Sequence, residues 1–203
     1  MTARGPVTAS DLRQAQGGVP DAAAPRLATD ADAEAVAELV HAAYRGAEST
    51  RGWTTESHLV GGQRADAAMV RELVAADDGV VLVLDACPED VGTGLVACCH
   101  VERRETSAYV GMFAVRPEIQ GRGLGRRMLA AAERQTLAWD RATVELTVLD
   151  HRPELLAWYE RCGFRLTGVR HPFPYGDERF GLPLRTDLAL LGMIKHLDHG
   201  GTP

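Results

Sequence analysis

A short segment of this 203-residue chain combines residue types that bind phosphate groups. In FAVRPEIQGRGLGRRMLAAAE, residues 113–133, an apolar stretch ends in a glycine-rich turn that leads directly into an amphipathic helix. Gly121, Gly123 and Gly125 allow the backbone to approach a ligand closely, and the free N–H groups of a helix's first turn favour an anion. The turn is locally basic because four arginines outnumber a single acid, Glu118: Arg116, Arg122, Arg126 and Arg127. The segment therefore predicts a phosphate-binding turn.

The glycine spacing does not fit two common phosphate-binding motifs. Counted from Gly121, the third glycine of the dinucleotide fingerprint G-x-G-x-x-G would fall at Arg126. No lysine follows the glycines, as a nucleoside-triphosphate P-loop would require. The residues match the pattern Q-x-x-G-x-G, preceded by a V-x-P turn: Gln120, Gly123 and Gly125, after Val115 and Pro117.

A second informative segment lies further along the chain. In RPELLAWYERCGF, residues 152–164, the apolar spacing predicts an amphipathic helix that carries Tyr159 four residues before a Gly-Phe pair. On residue types alone, Tyr159 is most simply a core aromatic whose hydroxyl finds a hydrogen-bond partner.

Together the two segments resemble the signature motifs of the GNAT acyltransferases, and the resemblance extends over roughly residues 26–196. It implies that acetyl-CoA binds with its pyrophosphate on main-chain groups of the turn and its pantetheine arm along the preceding strand. The turn residues implied are Gln120, Gly121, Arg122, Gly123, Leu124, Gly125 and Arg126, and the strand residues are Phe113, Ala114 and Val115. For Tyr159 the resemblance implies a general acid that protonates the departing thiolate.

Two positions depart from the pattern of that family. Many members carry Asn near the start of the second helix, where Arg152 and Pro153 stand here, and many use a strand Glu as general base where this chain has Tyr109. Glu56 and Glu102 are candidate bases, although each is more simply a solvated acid; Glu56 and Tyr109 are the candidate acceptor-site residues. None of the four cysteines has a recognisable nucleophile setting, so we expect the amine to attack the thioester directly.

The elements that must position these residues alternate between strand and helix. The hydrophobic pattern predicts strands near 26–28, 80–86, 94–103, 107–115, 142–150, 164–170 and 187–197, and helices near 30–45, 65–76, 123–138 and 153–162. The fold class is α/β, a central mixed but mostly antiparallel sheet with helices on both faces, as the GNAT acyl-CoA N-acyltransferase fold has. In the helix near 65–76, Ala68, Val70 and Leu73 are expected to face inward.

Composition sets limits on the function classes. The chain is 45% hydrophobic and 25% charged, which fits one domain over residues 25–197, with a flexible tail at 1–24 and a short tail at 198–203. A net charge of −6 argues against a nucleic-acid partner. No stretch fits a membrane helix or a secretory signal, so we expect no membrane contact and a cytoplasmic location. His196 and His199 alone do not define a site, so no metal is expected.

Three function classes remain open on sequence grounds. The first is an N-acetyltransferase that acetylates a primary amine of a small molecule, an amino-acid derivative or a protein. The second is a catalytically weak acyl-CoA-binding sensor or interaction module, which Tyr109 at the usual carboxylate position favours; the third is a dinucleotide-dependent oxidoreductase. The acceptor would be selected by loops 46–64 and 171–183, and homodimer formation is left open. Notable side chains in these loops are Trp53, Arg64, His171, Phe173 and Tyr175.

Overall fold

The computed structural model describes residues 24–45, 55–62, 64–87, 94–177 and 181–198. Trp53, His199 and nearly all of the two expected tails lie outside the described residues.

The described residues form four α-helices and nine strands, in the order that the sequence predicts but with two additional short strands. The helices are α1 (Ala33–Tyr44), α2 (Ala67–Ala75), α3 (Leu124–Ala138) and α4 (Pro153–Arg161). The strands are β1 (Arg26–Leu27), β2 (Val60–Gly61), β3 (Gly79–Asp85), β4 (Leu95–Arg103), β5 (Ala108–Val115), β6 (Thr143–Leu149), β7 (Arg165–Pro172), β8 (Leu182–Pro183) and β9 (Ala189–His196). Short 3-10 turns, Asp30–Asp32 and Pro117–Ile119, precede α1 and α3.

Seven strands form one mixed sheet in the order β1-β3-β4-β5-β6-β9-β7. Every neighbouring pair is antiparallel except β5 and β6, which α3 connects in parallel. The predicted fold class, a mostly antiparallel mixed sheet in an α/β protein, is confirmed.

Helices cover both faces of the sheet. Residues of α1 and α2 pack with one set of strand side chains, including Val81 and Val83. Residues of α3 and α4 pack with the alternate set, including Leu82 and Leu84. Because both faces of β3 are buried, its sequence is continuously apolar rather than alternating.

Local signals explain where the helices begin. The Asp66 side chain accepts a hydrogen bond from the main-chain N–H of Met69 at 2.8 Å and caps α2. Pro153 occupies the first turn of α4, where its missing N–H costs nothing.

Two expectations about these elements were incomplete. The sequence predicts a loop or broken helix at 46–64 and a loop at 172–183, but β2 and β8 pair there as a two-stranded antiparallel sheet. The inward position of Ala68 was wrong: Ala68 is exposed, whereas Val70 is buried and Leu73 packs partly against the core. Ala67, one residue earlier in α2, packs against the core instead.

Candidate active site

The strands that carry the predicted site separate after a short parallel contact. β5 and β6 pair only at Ala108 with Val144 and at Tyr109 with Glu145. Beyond Tyr109 the main-chain groups of β5 have no strand partner on the β6 side among the described residues. A cleft therefore opens between the two strands.

A bulge in β5 lies at the edge of this cleft. Cys98 of β4 pairs with Ala114 and His100 with Gly111, so β5 contains one extra residue. Met112 within the bulge has a φ of 47°, in the left-handed region that side chains rarely adopt. The bulge shifts the register next to Phe113, and Ala114 and Val115 then pair with Cys98 and Ala97 of β4.

The glycine-rich turn connects the end of β5 to α3. The Gln120 side chain donates a 3.0 Å hydrogen bond to the carbonyl of Val115 and fixes the turn to the strand. Gly121 and Gly123 have φ values of 84° and 82°, which glycine adopts without strain. The turn leads into the N-terminus of the 15-residue helix α3, whose first N–H groups favour an anion.

A cavity of about 330 Å³, the loop cavity, lies against this turn. It is lined by Tyr44, Phe113, Val115, Gln120, Gly121, Gly123, Leu124, Gly125, Arg126, Leu155, Trp158, Tyr159 and Arg161. The structure thus brings together eight of the ten residues expected to bind the cofactor. Ala114, whose side chain packs in the core on the opposite face, and the exposed Arg122 are not among the lining residues.

The arginines of the turn have different roles. Arg116 donates to the carbonyl of Leu95 at 3.0 Å and anchors the turn to β4, so it does not face the loop cavity. Arg126 and Arg161 do line the cavity and are exposed. The sequence analysis did not name Arg161 as a binding residue, although a cation two residues after Tyr159 could have indicated a position near the cofactor.

Tyr159 is a buried residue in the lining of the loop cavity. Its ring is 6% exposed and makes edge contacts with Trp158, Phe164 and Phe113 at centroid distances of 4.8, 5.5 and 6.4 Å. Its hydroxyl has no hydrogen-bond partner among the described residues, although it borders the cavity. Burial raises the pKa of the Tyr159 phenol well above its ordinary value, so the hydroxyl retains its proton at neutral pH.

A second cavity of about 150 Å³, the strand cavity, occupies the cleft between β5 and β6. It is lined by Tyr44, Arg45, Glu56, Val60, Arg64, Tyr109, Val110, Gly111, Met112, Phe113, Leu146, Thr147, Val148, Leu149, Leu155, Tyr159, Phe173 and Leu190. Tyr44, Phe113, Leu155 and Tyr159 line both cavities. The two cavities therefore adjoin along these four residues, which include Tyr159.

Tyr44, the last residue of α1, was not recognised from sequence. Its hydroxyl donates a 2.5 Å hydrogen bond to the carbonyl oxygen of Phe113, and the Arg64 guanidinium lies 5.6 Å from its ring centre. The 69-residue separation between Tyr44 and Phe113 left no local signal in the sequence.

Glu56 lies in the strand cavity between two arginines. One carboxylate oxygen is 3.1 Å from Arg45 and the other is 3.6 Å from Arg152. The Arg152 side chain is 1% exposed and also pairs with Glu154 at 2.6 Å. Arg152 therefore connects the start of α4 to Glu56 in the wall of the strand cavity.

Arg45 is a buried cation whose hydrogen bonding is incomplete. Its side chain is 3% exposed, and its Nε has no hydrogen-bond partner within the described part of the chain. Burial lowers the pKa of the Arg45 guanidinium, because desolvation disfavours its charged form more than Glu56 favours it. A buried donor without an acceptor costs roughly 1–3 kcal/mol.

Tyr109 bridges the cleft where the main-chain ladder ends. Its hydroxyl shares a 2.7 Å hydrogen bond with the hydroxyl of Thr147 on β6, and Arg104 lies 4.3 Å from its ring centre. Glu102 pairs with Arg104 at 3.2 Å and lines neither cavity, so it is poorly positioned to serve as a base.

Of the remaining residues named from the sequence, one lines a cavity and two lie outside both cavities. Phe173 is 5% exposed and lines the strand cavity. His171 is exposed on β7, and the Tyr175 hydroxyl accepts a hydrogen bond from the N–H of Leu188 at 2.8 Å, away from both cavities. Within the described ranges there is no cluster of three or more metal-binding side chains, and no helix has the length and hydropathy to span a bilayer.

Comparison with protein families identifies this arrangement. The model of the acetyltransferase (GNAT) domain matches residues 73–166, which contain β5, the glycine-rich turn, β6 and Tyr159. Residues 73–166 of the chain therefore form a GNAT acetyltransferase domain. The family assigns this GNAT chain to the acyltransferase class of enzymes.

Solved structures similar to this GNAT chain share its fold at low sequence identity. The yncA protein of Salmonella typhimurium, whose structure contains its cofactor acetyl-CoA, is 18% identical with a TM-score of 0.62 over 90% of this chain and 98% of that one. The ribosomal-protein-S18-alanine N-acetyltransferase of Escherichia coli is 16% identical with a TM-score of 0.60, over 87% and 95% of the two chains. The ribosomal-protein-alanine N-acetyltransferase of Brucella melitensis is 20% identical with a TM-score of 0.60, over 85% and 99%. A comparison with curated protein sequences found no significant match.

Proposed function

We propose that this GNAT domain transfers the acetyl group of acetyl-CoA to a primary amine by direct attack within a ternary complex. The observation that carries the proposal is the meeting of the loop cavity and the strand cavity at Tyr159. Such a junction lets a thioester in one cavity face an amine in the other. The similar yncA structure contains acetyl-CoA, and two further similar proteins are N-acetyltransferases, which supports this assignment.

The loop cavity is the proposed site of the cofactor. The N–H groups from Gln120 to Arg126 and the dipole of α3 would bind the pyrophosphate. The guanidinium groups of Arg126 and Arg161, both lining the cavity, add positive charge for the phosphates. The pantetheine arm would then follow the unpaired side of β5 past Val115 and Phe113 toward Tyr159.

The proposed reaction forms one bond and breaks one. The neutral amine nitrogen attacks the thioester carbonyl carbon, the new C–N bond forms and the C–S bond breaks. A main-chain N–H near the bulge of β5 polarises the carbonyl oxygen, and Tyr159 gives its proton to the coenzyme A thiolate. Burial keeps the Tyr159 phenol protonated at neutral pH, which a donor to the thiolate must be, but the same raised pKa makes it a weaker acid, so its position at the cavity is the main support for this role.

The amine must lose a proton, because an alkylammonium group has a pKa of about 10. Among the described residues, Glu56 is the carboxylate that lines the strand cavity, and we propose that it receives this proton, directly or through a water molecule. Tyr109 stands where many relatives carry Glu, and its hydrogen bond with Thr147 supports a role in shaping the cleft.

The proposal is tested by turnover. Purified protein, acetyl-CoA and a pool of primary amines should release free coenzyme A thiol, and mass spectrometry should identify an acetylated amine. Protein incubated without amine is the control for hydrolysis of the thioester. Thiol release that does not depend on any amine would contradict the proposed transfer.

A second candidate is an acyl-CoA-binding sensor, which Tyr109 at the usual carboxylate position favours. A sensor would show thermal stabilisation by acetyl-CoA without turnover of any amine. Stabilisation by NAD, and not by coenzyme A, would contradict both candidates and favour an oxidoreductase.

A further inference from the structure

The charged side chains of the strand cavity are unevenly balanced. Arg45, Glu56 and Arg64 are the charged residues among its described lining, so two cations face one anion. The rest of the lining is apolar or uncharged. A ligand in this cavity therefore meets a local excess of positive charge, even though the chain carries a net charge of −6.

The single anion of the cavity is already neutralised. Arg45 and Arg152 contact opposite oxygens of the Glu56 carboxylate, at 3.1 and 3.6 Å. Both guanidinium groups are almost fully buried, with side chains 3% and 1% exposed. Glu56 therefore cannot also balance the charge of Arg64.

Arg64 has no carboxylate partner within the described part of the chain. Its one specific contact there is the Tyr44 ring, 5.6 Å from the guanidinium carbon. A guanidinium held over an aromatic face keeps its planar donors available for an oxyanion. Because Tyr44 lines both cavities, this cation lies near their junction.

Arg45 supplies a second, independent sign that this wall lacks an anion. Its Nε is a buried side-chain nitrogen without a hydrogen-bond partner in the described residues. Native structures rarely leave a buried donor unpaired, and such a group at a binding cavity often pairs with the ligand or an ordered water.

We propose that the acceptor amine carries a carboxylate, which binds to Arg64 with Arg45 behind it, so that the substrate is an amino acid or a small compound with both groups. This inference rests on the proposed function, because it assigns the strand cavity to the acceptor. The carboxylate would form a charge-assisted pair with Arg64, and the amine would point toward Tyr159 at the meeting of the two cavities.

The size and walls of the cavity restrict the rest of the molecule. About 150 Å³ accommodates a small body, and many residues of the described lining are apolar. Those apolar residues include Val60, Leu146, Val148, Phe173 and Leu190. The side chain of the acceptor is therefore small and apolar.

The test compares matched acceptors at saturating acetyl-CoA. Each set contains a free amino acid, its amide and the amine that lacks the carboxyl group, with the side chains of alanine, valine, leucine and phenylalanine. Rates of thiol release give kcat/KM. Each value is calculated from the concentration of the neutral amine, because the three amines differ in pKa. The expected result is a preference of tenfold or more for the free amino acid over its amide in at least one set.

Variants then locate the source of the preference. Arg64→Gln should abolish it mainly through a higher KM, Arg64→Lys should restore part of it, and Arg64→Glu should reverse it in favour of the uncharged or cationic analogues. The matched control is Arg165→Gln, which removes an exposed arginine on β7 outside both cavities. Melting temperature and acetyl-CoA affinity, measured for every variant, separate a local effect from misfolding.

The outcomes distinguish the two proposals. Amines without a carboxylate that react as well as the amino acids, or an amino-acid preference that survives Arg64→Gln in a folded variant, overturn this inference and leave acetyl transfer intact. Absence of turnover with every acceptor contradicts the proposed function itself.

Discussion

The hydroxyl of Tyr44 donates a hydrogen bond to the carbonyl oxygen of Phe113 across 2.5 Å. This contact connects the C-terminus of α1 to the strand residue that follows the bulge, at the point where both cavities meet. It therefore orients the main-chain group nearest to the proposed path of the pantetheine arm.

Loss of this contact should weaken cofactor binding. In Tyr44→Phe the carbonyl of Phe113 is no longer held, and we expect acetyl-CoA to bind about fivefold more weakly, equivalent to ~1 kcal/mol. Isothermal titration measures this change. Tyr175→Phe is the control, since it removes the acceptor of the Leu188 N–H at a site outside both cavities. A tighter complex in Tyr44→Phe would indicate that Tyr44 competes with the cofactor for this oxygen, contrary to our interpretation.

Removal of the Tyr159 hydroxyl should slow transfer without weakening the cofactor complex. General acids contribute on the order of 10²–10⁴ in rate, so Tyr159→Phe should lower kcat by a factor in that range. Rates of thiol release and calorimetric affinities for acetyl-CoA separate the two effects. Similar kcat values in both proteins would remove Tyr159 from the proposed mechanism.

The pH profile of the wild-type enzyme provides a second test of Tyr159. The Tyr159 phenol acts in its neutral form, and burial raises its pKa. We therefore expect kcat to increase with pH as the amine loses its proton, and we expect no decrease in kcat at any pH below 10 from ionisation of Tyr159. An alkaline decrease below about pH 10 that disappears in Tyr159→Phe would show an acid with an ordinary pKa.

Two glycines with the same backbone conformation separate cofactor binding from folding. Gly123 and Gly168 have φ values of 82° and 80°, and no atom within 4 Å would meet an added Cβ at either position. Each alanine variant should lose about 1 kcal/mol of unfolding free energy, because both residues must adopt a left-handed conformation. Only Gly123→Ala should also weaken binding of coenzyme A, since Gly123 lines the loop cavity. Equal coenzyme A affinities in the two variants would contradict the proposed role of the turn.

Acid should weaken the fold through Asp32. Its hydrogen bonds with Arg26 lower the pKa of this carboxyl below the ordinary 3.8, so its contribution is present above that pH and is lost as the pH falls through the lower, folded-state value. Asp32→Asn should therefore lower the unfolding free energy at pH 7, with a shrinking difference below about pH 4. Asp30→Asn, in the same turn, is the control, and urea unfolding at several pH values measures both. A difference that grows toward acid pH would contradict the assignment.

The sequence predicted the site where its parts are close along the chain. The glycine-rich turn and α3 are contiguous, and Tyr159 follows the helical pattern of α4, so their elements and their approximate positions could be read locally. The parallel pairing of β5 and β6 also follows from the strand–helix–strand order, because the connection through α3 is a crossover. The place of β9 between β6 and β7 was not predicted.

The parts that were missed depend on tertiary structure. Tyr44 acts on a strand 69 residues away, and Arg116 bonds to the neighbouring β4 instead of a ligand. The bulge at Met112 places a methionine in a conformation that its residue type does not favour, so no propensity rule would have located it. Ala68 and Ala67 differ by one position in a short helix, where periodicity alone does not fix the buried face.

The brief parallel contact between β5 and β6 has a thermodynamic consequence. Among the described residues, two residue pairs join the strands on either side of the cleft, so the hydrogen-bonded ladder of the sheet is interrupted at its centre. A pantetheine amide chain along β5 would supply the hydrogen bonds that a neighbouring strand normally supplies. Binding of acetyl-CoA should then slow amide hydrogen exchange most strongly at residues 110–115, and far more there than in β3. The ligand and the protein would share one continuous network of main-chain hydrogen bonds.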